Sequence, residues 1–111
     1  MLKIEDNNIY LTRGDTAFID ILITDEDGQA YTMDADDRVI FTLRKLYDKG
    51  SVLLEKTSST PEIGFSTNDT KNLEFGDYKF DIYLFNSNTQ TLDTFIADRI
   101  FTVGEEAHEL T

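Results

Sequence analysis

The chain has no cysteine, no tryptophan, a single proline and a single histidine. Without cysteine there is no disulfide framework and no thiol chemistry, so a Cys/His nucleophilic site is excluded outright. One proline and six glycines argue against a linker or low-complexity protein. The only histidine, His108, lies in the polar stretch after the last expected strand, where it reads as a solvated residue and not as a general base. No serine sits in a Gly-x-Ser-x-Gly elbow, and carboxylate pairs on so acidic a chain select no acid/base couple. The expectation is therefore a protein with no catalytic residues and no cofactor. Met1–Asp6 has no apolar signal region and no apolar run approaches membrane-spanning length. Such a chain is expected to be made and kept in a cytoplasm unless assembly or lysis releases it. Basic residues are also scarce. Ten Lys and Arg against 22 Asp and Glu give a formal charge of −12, which repels phosphate backbones and anionic lipid and disfavours nucleic acid or a membrane as direct ligand.

What is present is apolar and aromatic. Within 111 residues, 40% are hydrophobic, including eight Phe and five Tyr, enough for one domain with its own core. The most informative stretch is Leu73 to Phe85. Gly76 permits a sharp corner, and from Tyr78 the residues alternate: Tyr78, Phe80, Ile82 and Leu84 on one face, Lys79, Asp81, Tyr83 and Phe85 on the other. Leu73, Gly76 and Tyr78 together match a tyrosine corner, in which the phenol bonds to upstream backbone in Greek-key sandwiches.

The same period of two predicts further strands at Asn8–Thr12, Thr16–Thr24 and Arg38–Leu46, then Val52–Thr57, Ile63–Ser66 and Leu92–Val103. Gln29–Met33 reads as a short return strand. Turns are expected at Arg13–Asp15, Asp25–Gly28, Asp34–Asp37, Asp48–Gly50 and Asn86–Thr89, a polar loop at residues 68–72, and a bulge near Ala97–Arg99. Pro61 belongs at an edge or in a loop. Residues 8–103 form the expected core of one domain, with a polar tail over 104–111. With no convincing helical window, the fold class is all-β, an immunoglobulin-like Greek-key β-sandwich of seven to eight strands.

Candidate binding features are few. Asp25, Asp27, Asp34, Asp36 and Asp37 could converge to offer oxygens to Ca²⁺, but an EF-hand register fails, since Ile23 would stand where the first carboxylate is needed. Turn and cap duties account for these aspartates without a metal. Arg13-Gly14-Asp15 spells an adhesive tripeptide that a tight turn explains equally, and Asn68-Asp69-Thr70 is a sequon without an export signal. Phe18, Leu22, Ile40, Tyr83 and Phe85, with Ile96 as a sixth candidate, are large apolar residues off the core face, and the first five are the candidate protein interface if they lie together. A carbohydrate-binding or adhesin-type sandwich is the alternative, with Tyr83, Phe85 and Tyr10 as stacking platforms, although the lack of tryptophan weakens it.

The run Ile9-Tyr10-Leu11-Thr12-Arg13-Gly14-Asp15-Thr16, then Asp25-Glu26-Asp27-Gly28 and Val39-Ile40-Phe41-Thr42-Leu43-Arg44, resembles the opening of the N-terminal domain of phage baseplate upper proteins and related small prophage structural proteins of Gram-positive hosts. Gly76, Tyr78, Asp81 and Ile82, followed by Thr94 and Phe101-Thr102-Val103, are similar to that family's closing strands. The resemblance covers residues 8–103. It implies a non-enzymatic virion component, a tail or baseplate module with an immunoglobulin-like fold, docking onto other phage structural proteins and commonly multimeric. It supplies no catalytic residue. The longer members continue into further segments, which leaves a receptor-adaptor role without support here.

Overall fold

The computed structural model describes residues 1–105, apart from the side chains of residues 48 and 49. Strands β1 (Leu2–Glu5) and β2 (Asn8–Thr12) form a hairpin, followed by β3 (Ala17–Asp20), β4 (Asp37–Lys45), β5 (Asp48–Ser58) and β6 (Glu62–Phe65). One helical turn, α1 (Thr67–Thr70), precedes β7 (Gly76–Asn86) and β8 (Thr91–Gly104). Six strands make a mixed sheet in the order β1-β2-β8-β7-β4-β5, and β3 pairs with β6 in a second, two-stranded sheet. Among the described residues only the β2–β8 pairing is parallel. With 60% strand and 4% helix, the chain is mostly β and its arrangement is compatible with an all-β sandwich.

Alternation builds the core. Ile9 and Leu11 of β2, Val39, Phe41 and Leu43 of β4, Tyr78, Phe80 and Ile82 of β7, and Phe101 and Val103 of β8 are buried on one face of the large sheet. Ala17 and Ile19 of β3 with Ile63 and Phe65 of β6 answer from the small sheet. Phe41 meets Phe65 edge-on at 5.1 Å and stacks on Phe80 at 5.4 Å, while Phe65 lies 5.6 Å from Phe101. Phe65 is thus the small sheet's ring in an aromatic cluster otherwise drawn from the large one. Each such pair adds about 0.5–1.5 kcal/mol beyond its buried area.

Several expected elements sit where the sequence puts them. Asn8–Thr12 is a strand with those bounds, and the bulge in the last strand falls as expected: Phe80 pairs with Arg99 but Ile82 with Ile96, leaving Ala97 and Asp98 opposite Asp81. Asp98 takes a φ of 53° there and its N–H bonds to Asp81 Oδ1 at 2.9 Å. Others differ. Strand Thr16–Thr24 is only Ala17–Asp20, because its partner is cut short by Pro61: the Pro61 carbonyl accepts from the Ile21 N–H at 2.8 Å, but proline has no N–H to return. Gln29–Met33 is not a strand, and only a single bridge joins Ala30 to Thr24. The hairpin after β4 turns at residues 46–47 and not at Asp48–Gly50, which are taken into β5 where its register against Arg44 and Lys45 shifts. Residues 68–72 are not all loop, since α1 occupies the first part. Asp37 is the first residue of β4 and buried, and not part of the preceding turn. Sequence reading also missed β1, whose hairpin turns on Asp6 and Asn7, both at positive φ (52° and 65°), a conformation that Asp and Asn tolerate better than other side chains. Residues 106–111, including His108, lie outside the described residues.

Candidate interaction surface

Strand β7 is held at both ends by tyrosine hydrogen-bond networks. At its start, Gly76 takes a φ of 134°, Leu73 packs against the core and the Tyr78 hydroxyl donates to the Glu74 carbonyl at 2.7 Å. The tyrosine corner is therefore formed by Leu73, Gly76 and Tyr78 as expected. Burial, and then the charge of Glu74, pushes the Tyr78 phenol above its ordinary pKa. At its far end, Asn86 pairs in register with Asp37 of β4. Asp37 Oδ2 accepts the Tyr31 hydroxyl at 2.6 Å and the Asp34 N–H at 3.0 Å, and Oδ1 accepts the Asn86 amide at 2.8 Å. Burial alone would raise the Asp37 pKa; the bonds from Tyr31, Asp34 and Asn86 outweigh it and hold the carboxyl below its usual value. The hydrogen bond to Asp37, aided by burial, pushes Tyr31 up to about 12. Asn86 Oδ1 in turn accepts the N–H groups of Asn88 and Thr89, both at 3.0 Å, and so joins the β7–β8 turn to this node.

Between the clamps, the outward side of the large sheet carries an apolar strip. Register places Ile40 opposite Tyr83, and Phe85 opposite Leu92 on the neighbouring strand. Ile40, Tyr83 and Phe85 are half-buried, and Leu92 is 61% exposed. Leu92 is the member that sequence reading left out. Its signal was the pairing of the β7–β8 hairpin around residues 87–90. The surroundings are polar and mixed in sign: Arg38 opposite Phe85, Arg44 opposite Lys79, and an Arg44–Asp81 ion pair at 3.6 Å. The charge of Glu55, after burial, raises the Tyr83 phenol.

The other two candidate residues are elsewhere. Phe18 faces outward from the small sheet and is 71% exposed, and Leu22, two residues beyond the end of β3, is 81% exposed at the rim of a groove beside that strand, so neither joins Ile40, Tyr83 and Phe85. The five residues do not form one patch. Phe18 lies over Gly64, where a Cβ would come within 2.9 Å of its ring. Period-two alternation tells inward from outward but not which outer surface a strand joins. Tyr10 packs on Gly104, leaving no room for a Cβ there.

The acidic turns are folded into the frame. Asp25 Oδ1 accepts the N–H groups of Asp27 and Gln29, both at 2.9 Å, and Asp34 Oδ1 accepts that of Asp36 at 2.8 Å. The first of these turns adjoins a concavity of about 920 Å³ bordered by Asp25, Asp27 and Asp37, yet among the described residues no three His, Cys, Asp or Glu side chains are grouped to hold a metal. In the Arg13–Asp15 turn, the Gly14 N–H bonds to Thr70 Oγ1 at 2.8 Å and the Arg13 guanidinium lies 4.0 Å from the Phe75 ring centre. Among the described residues no helix is long and apolar enough to cross a membrane. A scan against protein-family models, a search of curated proteins and a search of solved structures each found no match.

Proposed function

We propose that this chain is a non-enzymatic structural module of a phage or prophage virion, a tail or baseplate component made in the host cytoplasm. It self-associates and docks onto other virion proteins through the outward face of the six-stranded sheet. The observation that carries the assembly reading is the contiguous strip of Ile40, Tyr83, Phe85 and Leu92 on adjacent strands. A contiguous apolar strip rimmed by charges of both signs is what a protein interface needs. Lys3, Arg38, Arg44 and Lys79 all occupy register positions on this face, so a second copy can approach it despite the overall charge of −12. The virion assignment rests on the resemblance over residues 8–103.

An immunoglobulin-like Greek-key build is part of the same proposal. It is supported by the parallel pairing of β2 with the last strand, by β3 and β6 pairing across the core from that sheet, and by the tyrosine corner on β7. A sugar-binding reading draws on Tyr83 beside Thr42, Arg44 and Asp81 in a shallow concavity, but Tyr10 is engaged with Gly104. Mass spectrometry of phage particles induced from the source bacterium and purified by density tests the assignment. The chain should be found at a fixed ratio to the tail proteins, and its absence from intact particles would refute the virion role.

A further inference from the structure

The small sheet has an open edge directly above an opening into the core. Among the described residues strand β3 has one neighbour, β6. Because the Ile21 N–H bonds to Pro61, the N–H and C=O groups of Ala17, Ile19 and Ile21 point toward β6, and by alternation those of Phe18, Asp20 and Leu22 point to the open side. Under that side runs a groove of about 330 Å³, walled by Ile4, Ile9, Ile19, Phe80 and Ile96. An unpaired edge above an apolar groove is the arrangement that accepts an added strand, whose backbone completes the ladder while alternate side chains fill the groove.

Charge selects the occupant. On the outward side, Asp20 stands directly opposite Glu62, a like-charged cross-strand pair that costs stability unless a cation joins it. Asp20 lies on the very edge that an incoming strand would pair with, flanked outward by the exposed Phe18 and Leu22. Antiparallel pairing with β3 of a second copy would gather Asp20 and Glu62 of both copies on one face, which disfavours self-pairing here. The geometry points to β3 as a docking edge for an extended segment of another protein, with apolar residues at alternate positions and Lys or Arg between them. This site is separate from the outward face of the large sheet and stands whether or not that face assembles.

The test uses a synthetic peptide of alternating valine and lysine, its glutamate-for-lysine twin and a scrambled lysine peptide of equal composition, at physiological salt. Binding is followed by fluorescence anisotropy and by amide exchange in NMR. The alternating lysine peptide should bind and slow exchange at Phe18, Asp20 and Leu22. Asp20→Lys should weaken it about tenfold and favour the glutamate twin. Asp20→Pro removes an edge N–H without touching the β3–β6 ladder and should abolish binding of both, with Ile19 and Ile21 still protected as the check on folding. Failure of the alternating lysine peptide to bind, equal binding of the scrambled peptide, or unchanged binding to Asp20→Pro would overturn the proposal. So would protection of Phe18, Asp20 and Leu22 that grows with protein concentration alone, because a second copy would then be the occupant.

Discussion

The two ends of β7 are both fastened by a tyrosine hydroxyl, and they are fastened differently. At the start, Tyr78 donates to a backbone carbonyl four residues earlier, a neutral bond with a local partner. At the end, Tyr31 donates to Asp37, a buried carboxylate that also receives Asp34 and Asn86, so the loop before β4 and the end of β7 converge on one ion. A single neutral bond can be lost with little consequence, whereas a shared buried ion leaves several groups unsatisfied at once. The difference also makes one end sensitive to pH in the acid range and the other not.

The largest contrast is expected on removing each anchor. Asp37→Ala strands the Tyr31 hydroxyl, the Asp34 N–H and the Asn86 amide, and should lower unfolding free energy by about 2–4 kcal/mol in urea titration. Tyr78→Phe deletes one hydrogen bond and should cost about 1 kcal/mol with the circular dichroism spectrum unchanged. Equal losses at the two sites would erase the distinction.

Acid sharpens it further. The folded Asp37 carboxyl titrates below its ordinary value, so its contribution is complete above the unfolded pKa near ~3.9 and is lost as pH falls from there through the lower folded pKa. Stability of the wild type and of Tyr78→Phe should decline in parallel over that window, and Asp37→Asn should decline less steeply. The smallest effect lies at the alkaline end. Tyr31 titrates at about 12, so its contribution is intact below the ordinary tyrosine pKa of about 10 and is lost as pH rises toward 12. Phenolate absorbance during a pH titration should lose its latest-ionising component in Tyr31→Phe.

How much of this could be read from residues follows from the range of each interaction. The Tyr78 corner was legible because donor, glycine and acceptor sit within six residues. The long strands were legible because alternation over nine or more residues survives irregular ends. The Asp37 node was only half within reach: Tyr31 and Asp34 lie six and three residues before Asp37, but Asn86 is 49 residues away and is brought to it only by the pairing of β4 with β7. The early end of β3 needed the knowledge that Pro61 would be its partner's first neighbour. The interface was half legible: Ile40, Tyr83 and Phe85 share a surface, but Phe18 belongs to the other sheet and Leu22 lies just past the end of β3, because outward is a local property and which side is outward is not.

The central claim, that the outward strip on the large sheet is an assembly face, is tested most directly by the solution mass from light scattering across a concentration series, for wild type and Tyr83→Asp. A defined oligomer that Tyr83→Asp dissociates to monomers, with its β spectrum intact, is the predicted result. A wild-type chain that stays monomeric at every concentration, or an oligomer indifferent to Tyr83→Asp, would contradict it.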